Sequence, residues 1–208
     1  LKKCCVTHAG VAFDHVIESF RNDLFAGYKT GEGLDERLVA QFPLAERAAQ
    51  ALGLVAWPMI ELEADDAIAT AAARCAADPR VEQVRIAAVD KDMCQCITGT
   101  RVVRWDRWKD EILDEAGVIA KHGVLPVSIP DWLALVGDTS DNVAGVPGIG
   151  KKRAIDLVSQ FGGLDALLAN PEALKPKQRE ALTTHREDAL RSRELVTIPT
   201  DVPLDVDF

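Results

Sequence analysis

The sequence has no Cys-x-x-Cys pair; its five cysteines stand at 4, 5, 75, 94 and 96. That excludes the common zinc spacings and gives no basis for a disulfide framework, so reduced structural thiols and a cytoplasmic setting are expected. No apolar run approaches the ~20 residues that span a bilayer, and no signal-peptide pattern opens the sequence, so no membrane partner is expected. Four histidines (8, 15, 122 and 185) lie far from any serine or cysteine motif, which leaves nucleophilic catalysis without support. Repeats, low-complexity tracts and long linkers are absent. So is any basic excess: Lys+Arg 24 against Asp+Glu 33 gives a net charge of −9, on its face a poor match to a phosphate backbone.

What is present resolves that charge. Eight carboxylates fall into four short clusters: Asp14; Glu63, Asp65 and Asp66; Asp90 and Asp92; Asp138 and Asp141. Setting these eight against bound divalent metal leaves the rest of the chain nearly neutral. At 208 residues the chain is long enough for a sizeable core, and 48% hydrophobic with 27% charged residues is ordinary for a globular protein.

The apolar pattern assigns a strand to residues 9–13 ending at Asp14, and a basic, aromatic, glycine-rich loop to residues 20–33. The spacing at 38, 39, 42, 45, 48, 49 and 52 predicts one amphipathic helix over 34–52, followed by a strand at 54–57. An alanine-rich helix over 65–77, a strand at 84–89 and another at 102–105 continue the alternation of a parallel sheet with helices on both faces. The remainder reads as helical at 114–121, 130–136, 151–161, 164–168 and 175–195.

The acids sit where such a sheet places ligands. Asp14 and the Asp90-Lys91-Asp92 segment each follow a strand, and the carboxyl ends of parallel strands are where α/β sheets bind. A turn-forming role is the alternative for either segment alone. Glu63, Asp65 and Asp66 stand at a helix start, where acids also complement the helix dipole. On that first turn 63 and 66 share a face and 65 points elsewhere. Asp138 and Asp141 lie in a polar loop leading into Gly145-Val146-Pro147-Gly148-Ile149-Gly150-Lys151-Lys152-Arg153-Ala154. This is the helix-hairpin-helix pattern, apolar-x-Gly-apolar-Gly-x-x-x-Ala. Its glycines let backbone N–H groups approach a phosphate at a helix N-terminus, while Lys151, Lys152 and Arg153 add charge without sequence preference. Trp105 and Trp108 read as strand-end packing before base stacking. Residues 175–179 are either a second phosphate clamp or a solvated face.

These segments, in this order, resemble the bacterial 5′–3′ exonuclease domain of the 5′-nuclease superfamily, found at the start of DNA polymerase I or as a stand-alone protein. The resemblance also includes Ser19-Phe20-Arg21, Gly27-Tyr28-Lys29 and the closing residues 203–208. It implies an α/β, PIN-like core over 1–127 with a mainly parallel sheet, and a mostly helical helix-hairpin-helix DNA-binding region over 128–208. It further implies hydrolysis of DNA phosphodiesters at 5′ ends or flaps, primer removal in replication and repair, and DNA with a single-stranded 5′ arm as partner of a monomer. The eight acids would hold two or three Mg²⁺ or Mn²⁺ ions, some through water. Lys29 would position the scissile phosphate with Arg21 as its companion, and residues 29–48 would arch over the 5′ end. Gly145, Gly148 and Gly150 would grip DNA with Lys151, Lys152 and Arg153. Carbonyls of Leu135, Val136, Ala144, Val146 and Ile149 would bind K⁺. Ala144 stands where a proline is common. The family begins with a further strand and a metal-binding Asp, so about fifty residues before Asp14 are expected to be missing, which leaves the activity of this fragment open. Whether a polymerase follows Phe208 is left open. Two rivals remain: a DNA-binding module that kept the fold and lost chemistry, and a PIN-type ribonuclease. Retention of all eight acids argues against the first, and the hairpin argues against the second.

Overall fold

Strand β1 (Gly10–Asp14) pairs in parallel with β2 (Val55–Met59), in a register that sets Gly10 opposite Val55 and Asp14 opposite Met59. The computed structural model describes residues 6–206, and the chain forms two compact units, one from Leu1–Ala77 with Pro199–Phe208 and the other from Asp78–Ile198. The cysteines at 4 and 5 lie outside the described residues.

In the first unit, α4 (Ala64–Ala77) packs against both strands with Ala67, Ala69, Ala71 and Ala72 buried. Alanine suits this helix because it brings backbone close to the sheet at no side-chain entropy cost. The closing segment returns to α4: Val202 N donates to Thr70 Oγ1 at 3.2 Å, and Arg74 donates to the carbonyls of Val202 and Leu204. Trp57 donates Nε1 to the Asp205 carbonyl at 2.9 Å, and its ring fills the space where a Cβ on Gly10 would stand. Pro58 and Met59 continue the strand two residues beyond the expected end.

The connection between β1 and β2 differs from expectation twice. Residues 20–33 do not form a loop throughout, because α1 (Phe20–Leu24) opens with a capping box. Ser19 accepts from the first turn, and Asn22 Oδ1 accepts from Ser19 N at 2.9 Å. The single helix expected over 34–52 is two, α2 (Glu36–Val39) and α3 (Phe42–Ala51). Pro43 explains the break: it lacks the N–H for a continuing ladder and is tolerated only in a first turn.

In the second unit, β3 (Val84–Ile86) is parallel to β4 (Val102–Asp106), and β4 pairs antiparallel with β5 (Glu111–Leu113). Strand β3 stops three residues short of the expected end, and β5 was not anticipated. A turn closes the β4–β5 hairpin, with Asp110 at φ 54° accepting from Trp105 Nε1 at 3.0 Å. Trp105 is half-buried at the strand end, whereas Trp108 is 86% exposed. The helices are α5 (Glu115–His122), α6 (Ile129–Val136), α7 (Lys151–Phe161), α8 (Leu164–Ala169), α9 (Pro176–Thr184) and α10 (Arg186–Val196). The expected helix over 175–195 breaks at His185, whose φ of −108° and ψ of 27° leave the helical region. Helix α6 is the centre of this unit: Ile129, Leu133, Ala134 and Leu135 are fully buried, and α7 and α10 pack on it.

Candidate functional site

In the first unit the acids are met by cations of the chain itself. Asp14, at the end of β1, accepts from Ala64 N at 2.7 Å and so caps α4. Asp66, fully buried, closes the same turn from within by accepting from Glu63 N at 2.9 Å. Its two oxygens also receive Arg21, Nη1 at 3.0 Å and Nη2 at 2.8 Å, the forked pairing that guanidinium and carboxylate geometry favour. Burial opposes the Arg21 charge, yet Asp66 and then Glu63 hold it more firmly protonated than usual.

Glu63 is the hub of this network. It accepts from Ser19 Oγ at 2.7 Å and Lys29 Nζ at 2.8 Å, with Arg21 Nη1 at 3.3 Å and Tyr28 OH at 3.5 Å. Burial alone would raise its pKa; Arg21, Lys29 and Ser19 together outweigh that and keep the carboxyl below its ordinary value. Lys29 Nζ also lies 3.9 Å from Asp14 Oδ2. The structure therefore brings Asp14, Glu63, Asp66, Arg21 and Lys29 together, while Asp65 stands part-exposed on the first turn of α4. Two expectations change in kind. The oxygens of Asp66 are committed to Arg21 and a backbone N–H. Arg21 itself is only 2% exposed, turned to acids and away from solvent.

In the second unit three acids converge. Ligand atoms of Asp92, Asp138 and Asp141 lie within 4.8 Å of one another. Asp90 stands one step aside, its Oδ1 accepting from Asp92 N at 3.1 Å. Asp92 is 6% exposed, and its Oδ1 is buried with no hydrogen-bond partner. Burial, then Asp90, with Asp138 and Asp141 adding to them against the pull of Lys91, pushes its pKa up to about 8. Asp138 behaves oppositely. Burial would raise its pKa, but the Lys91 ammonium and Ser140, which donates N at 3.1 Å and Oγ at 2.5 Å, bring it down. An orphaned buried carboxylate oxygen among three acids fits a hard divalent cation, the species that satisfies such oxygens.

Asp138 and Asp141 belong to the hairpin turn. Asp138 and Val143 exchange two backbone hydrogen bonds, 2.8 and 2.7 Å, closing a tight loop around Asp141. Gly145 then passes so close to the Val136–Gly137 backbone that a Cβ would collide with Val136 C and O and with Gly137 N. Val146 N donates to Leu135 O at 2.9 Å, and the chain enters α7 after Gly150. No side chain caps α7, so its first N–H groups remain for an anion, and Lys151, Lys152 and Arg153 are exposed beside them. Of the carbonyls expected to face K⁺, those of Leu135, Ala144 and Val146 already accept, from Val146 N, Ser192 Oγ at 2.7 Å and Ile149 N respectively.

Sequence patterns did not single out Ser192 or Gln95, and gave Ser19 and Tyr28 no role beyond their place in the matching segments. Gln95 donates to Asp92 O and Val196 O and accepts from Ile198 N, each at 3.0 Å. Only Ser19 carried a signal, the Ser-x-x-Asn spacing of a helix start. At residues 175–179, Arg179 pairs with Glu172 at 2.8 Å, and Lys175 and Lys177 are exposed. Replacing Asp66 with Asn strips a buried guanidinium of its main counter-charge and is expected to cost about 3 kcal/mol in urea denaturation. A cost within about 0.5 kcal/mol, typical of surface sites, would contradict the pairing.

Comparison with known proteins places this geometry. Residues 1–123 match the family described as 5′-3′ exonuclease, N-terminal resolvase-like domain, and residues 124–208 match 5′-3′ exonuclease, C-terminal SAM fold. DNA polymerase I of Rhizobium leguminosarum is 40% identical over 207 residues, which is 97% of this chain and 20% of the polymerase. The thermostable DNA polymerase I of Thermus aquaticus is 37% identical over 199 residues, 95% of this chain and 23% of that protein. The chain thus spans about a fifth to a quarter of the length of these relatives. Among solved structures, bacteriophage T5 5′-exonuclease with bound divalent metal ions (zinc) superposes with a TM-score of 0.82 at 23% identity, covering 96% of this chain and 77% of that one. The T5 flap endonuclease in a pseudo-enzyme-product complex with DNA and metal ions superposes at 0.78 and 22%, with the same coverage. At such identities the likeness carries the fold. With the family profiles spanning the whole chain, the protein belongs to the 5′–3′ exonuclease family, an α/β resolvase-like domain with parallel strands followed by a helical SAM-fold domain.

Proposed function

We propose that this chain is the nuclease part of a metal-dependent 5′–3′ exonuclease or flap endonuclease, acting on DNA with a single-stranded 5′ arm. The observation that carries the proposal is the Asp138–Val143 turn. One short segment supplies two carboxylates to the acidic trio and then leads directly into an uncapped helix start flanked by Lys151, Lys152 and Arg153. A hydrolytic metal centre and a sequence-neutral phosphate grip are thereby built on one turn. The proposed domains are a nuclease core over residues 1–127 and a helix-hairpin-helix DNA-binding region over 128–208, the second also supplying Asp138 and Asp141 to the metal centre.

Asp92, Asp138 and Asp141 would hold one Mg²⁺ or Mn²⁺ ion, oxygen donors being selective for such metals. When bound, a divalent ion polarises the phosphodiester and makes water more acidic. The finer proposal is two or three ions, with Asp14, Glu63, Asp65 and Asp90 as the remaining carboxylates. The other groups have positional work. Asp66 and Arg21 fix Glu63, and Lys29, whose side chain is 26% exposed, offers its ammonium to a phosphate oxygen. Helix α7 and its basic first turn hold the duplex backbone. A K⁺ ion at the hairpin is a further part of the proposal, since a carbonyl oxygen with two lone pairs can serve both an N–H and a cation.

Three outcomes follow. Asp92→Asn is expected to abolish Mg²⁺-dependent cleavage of a 5′-flap substrate in the protein that cleaves it, while duplex binding stays within about twofold in a gel-shift titration; retained cleavage would refute the centre. Replacing Lys151 and Lys152 with Ala should weaken duplex binding and lower the slope of log K against log salt by roughly 1–2, and an unchanged slope would remove the hairpin as the grip. Asp92, with its pKa near 8, carries a proton at neutral pH that a cation must displace. Mg²⁺ affinity should therefore rise by up to about tenfold per pH unit below pH 8 and level off above it, with proton release measurable by calorimetry in two buffers. A flat profile from pH 6 to 9 would contradict it.

A further inference from the structure

Lys91 lies between two acids in sequence and reaches a third in space. Its Nζ is hydrogen-bonded to Asp138 Oδ2 and lies 3.9 Å from Asp92 Oδ1, the buried oxygen that has no hydrogen-bond partner. The other oxygen of Asp138 is committed to Ser140, which donates both its N–H and its hydroxyl to Oδ1. The Lys91 side chain is 35% exposed, against 4% for that of Asp138. Its buried partner cannot turn to water, whereas the ammonium has a route out.

We propose that Lys91 is a positioning residue of the metal centre: an internal counter-cation that holds Asp138 and Asp92 in place and competes with a divalent ion for Asp138 Oδ2. The role rests on the reading that Asp92, Asp138 and Asp141 bind such an ion. An oxygen that accepts from an ammonium can join a divalent ion only if the ammonium retreats or shares it, and either adjustment weakens metal binding. Without another cation, however, the pair keeps a buried carboxylate from standing uncompensated. Lys91 therefore stabilises the protein before metal binds and becomes superfluous once it has bound. By linkage, its removal must tighten metal binding by the same factor by which it destabilises the metal-free protein more than the loaded one.

The test is Lys91→Met, which keeps most of the side-chain length and deletes the charge. Mn²⁺ affinity is measured by calorimetry without DNA, and stability by urea denaturation in EDTA and in saturating Mn²⁺. The expected result is an Mn²⁺ affinity about tenfold tighter than that of the unsubstituted chain. Stability should be lost in EDTA and regained in saturating Mn²⁺. An unchanged affinity with equal loss of stability in both conditions would overturn the proposal, because that is what a purely structural lysine gives. If the variant does not fold in EDTA, folding on addition of Mn²⁺ supports the proposal and failure to fold overturns it. Asp92→Asn separates this from failure of the metal centre itself. Equal Mn²⁺ binding by that variant and the unsubstituted chain removes the centre, and with it the role of Lys91. Loss of binding in Asp92→Asn, with no change in Lys91→Met, removes the Lys91 role alone.

Discussion

A carboxylate taken out of water needs a cation, a proton or several N–H donors, and this chain buries four of its clustered acids: Glu63, Asp66, Asp92 and Asp138. The desolvation of each is several kcal/mol unless it is compensated. The two units meet that requirement differently. In the first, Arg21 and Lys29 supply fixed positive charge, Ser19 a hydroxyl and the start of α4 its N–H groups, so Glu63 and Asp66 have assigned partners. In the second, Asp138 has Lys91 and Ser140, but Asp92 is left with an orphaned oxygen and a raised pKa. That incomplete compensation makes the trio of Asp92, Asp138 and Asp141 the place where an added cation stabilises most.

The hairpin joins the acidic trio to an uncapped helix start. The close approach of Gly145 to Val136 and Gly137 leaves no room for a side chain, and it directs the chain from the Asp138–Val143 turn into α7. Ser192 on α10 holds the Ala144 carbonyl, so the turn is braced from outside as well as within. Phosphate contacts at such a helix start carry position and affinity without sequence information, which suits the proposed action on DNA ends of any sequence.

Much of this was readable in the sequence because the relevant signals are local. The acid after Phe13 marks a strand end, Asp90 follows a strand that stops three residues before Val89, and the Gly-Ile-Gly-Lys spacing marks a helix start whatever the surrounding fold. Helix α7 was delimited correctly for the same reason, since Gly150 and Gly162 bracket a clean amphipathic run. What escaped depended on partners distant in sequence. Helix α1 has only five residues, and its buried Arg21 is paired with an acid 45 positions away, which no periodicity within residues 20–33 reveals. The pairing of Asp66 was hidden for the same reason, its counter-charge lying in that unrecognised helix. The break at Pro43 was visible in principle but outweighed by apolar spacing on either side, while the break at His185 carries neither proline nor glycine. Lys91 shows the same limit: sequence sets it between Asp90 and Asp92, whereas its bonded partner is Asp138.

The central claim is that the Asp92, Asp138 and Asp141 carboxylates hold a divalent cation. The most direct measurement is an anomalous difference map from a crystal of this chain grown in Mn²⁺. The account requires a peak coordinated by oxygens of all three side chains. A map with no peak there, or with Mn²⁺ bound only elsewhere, would contradict it.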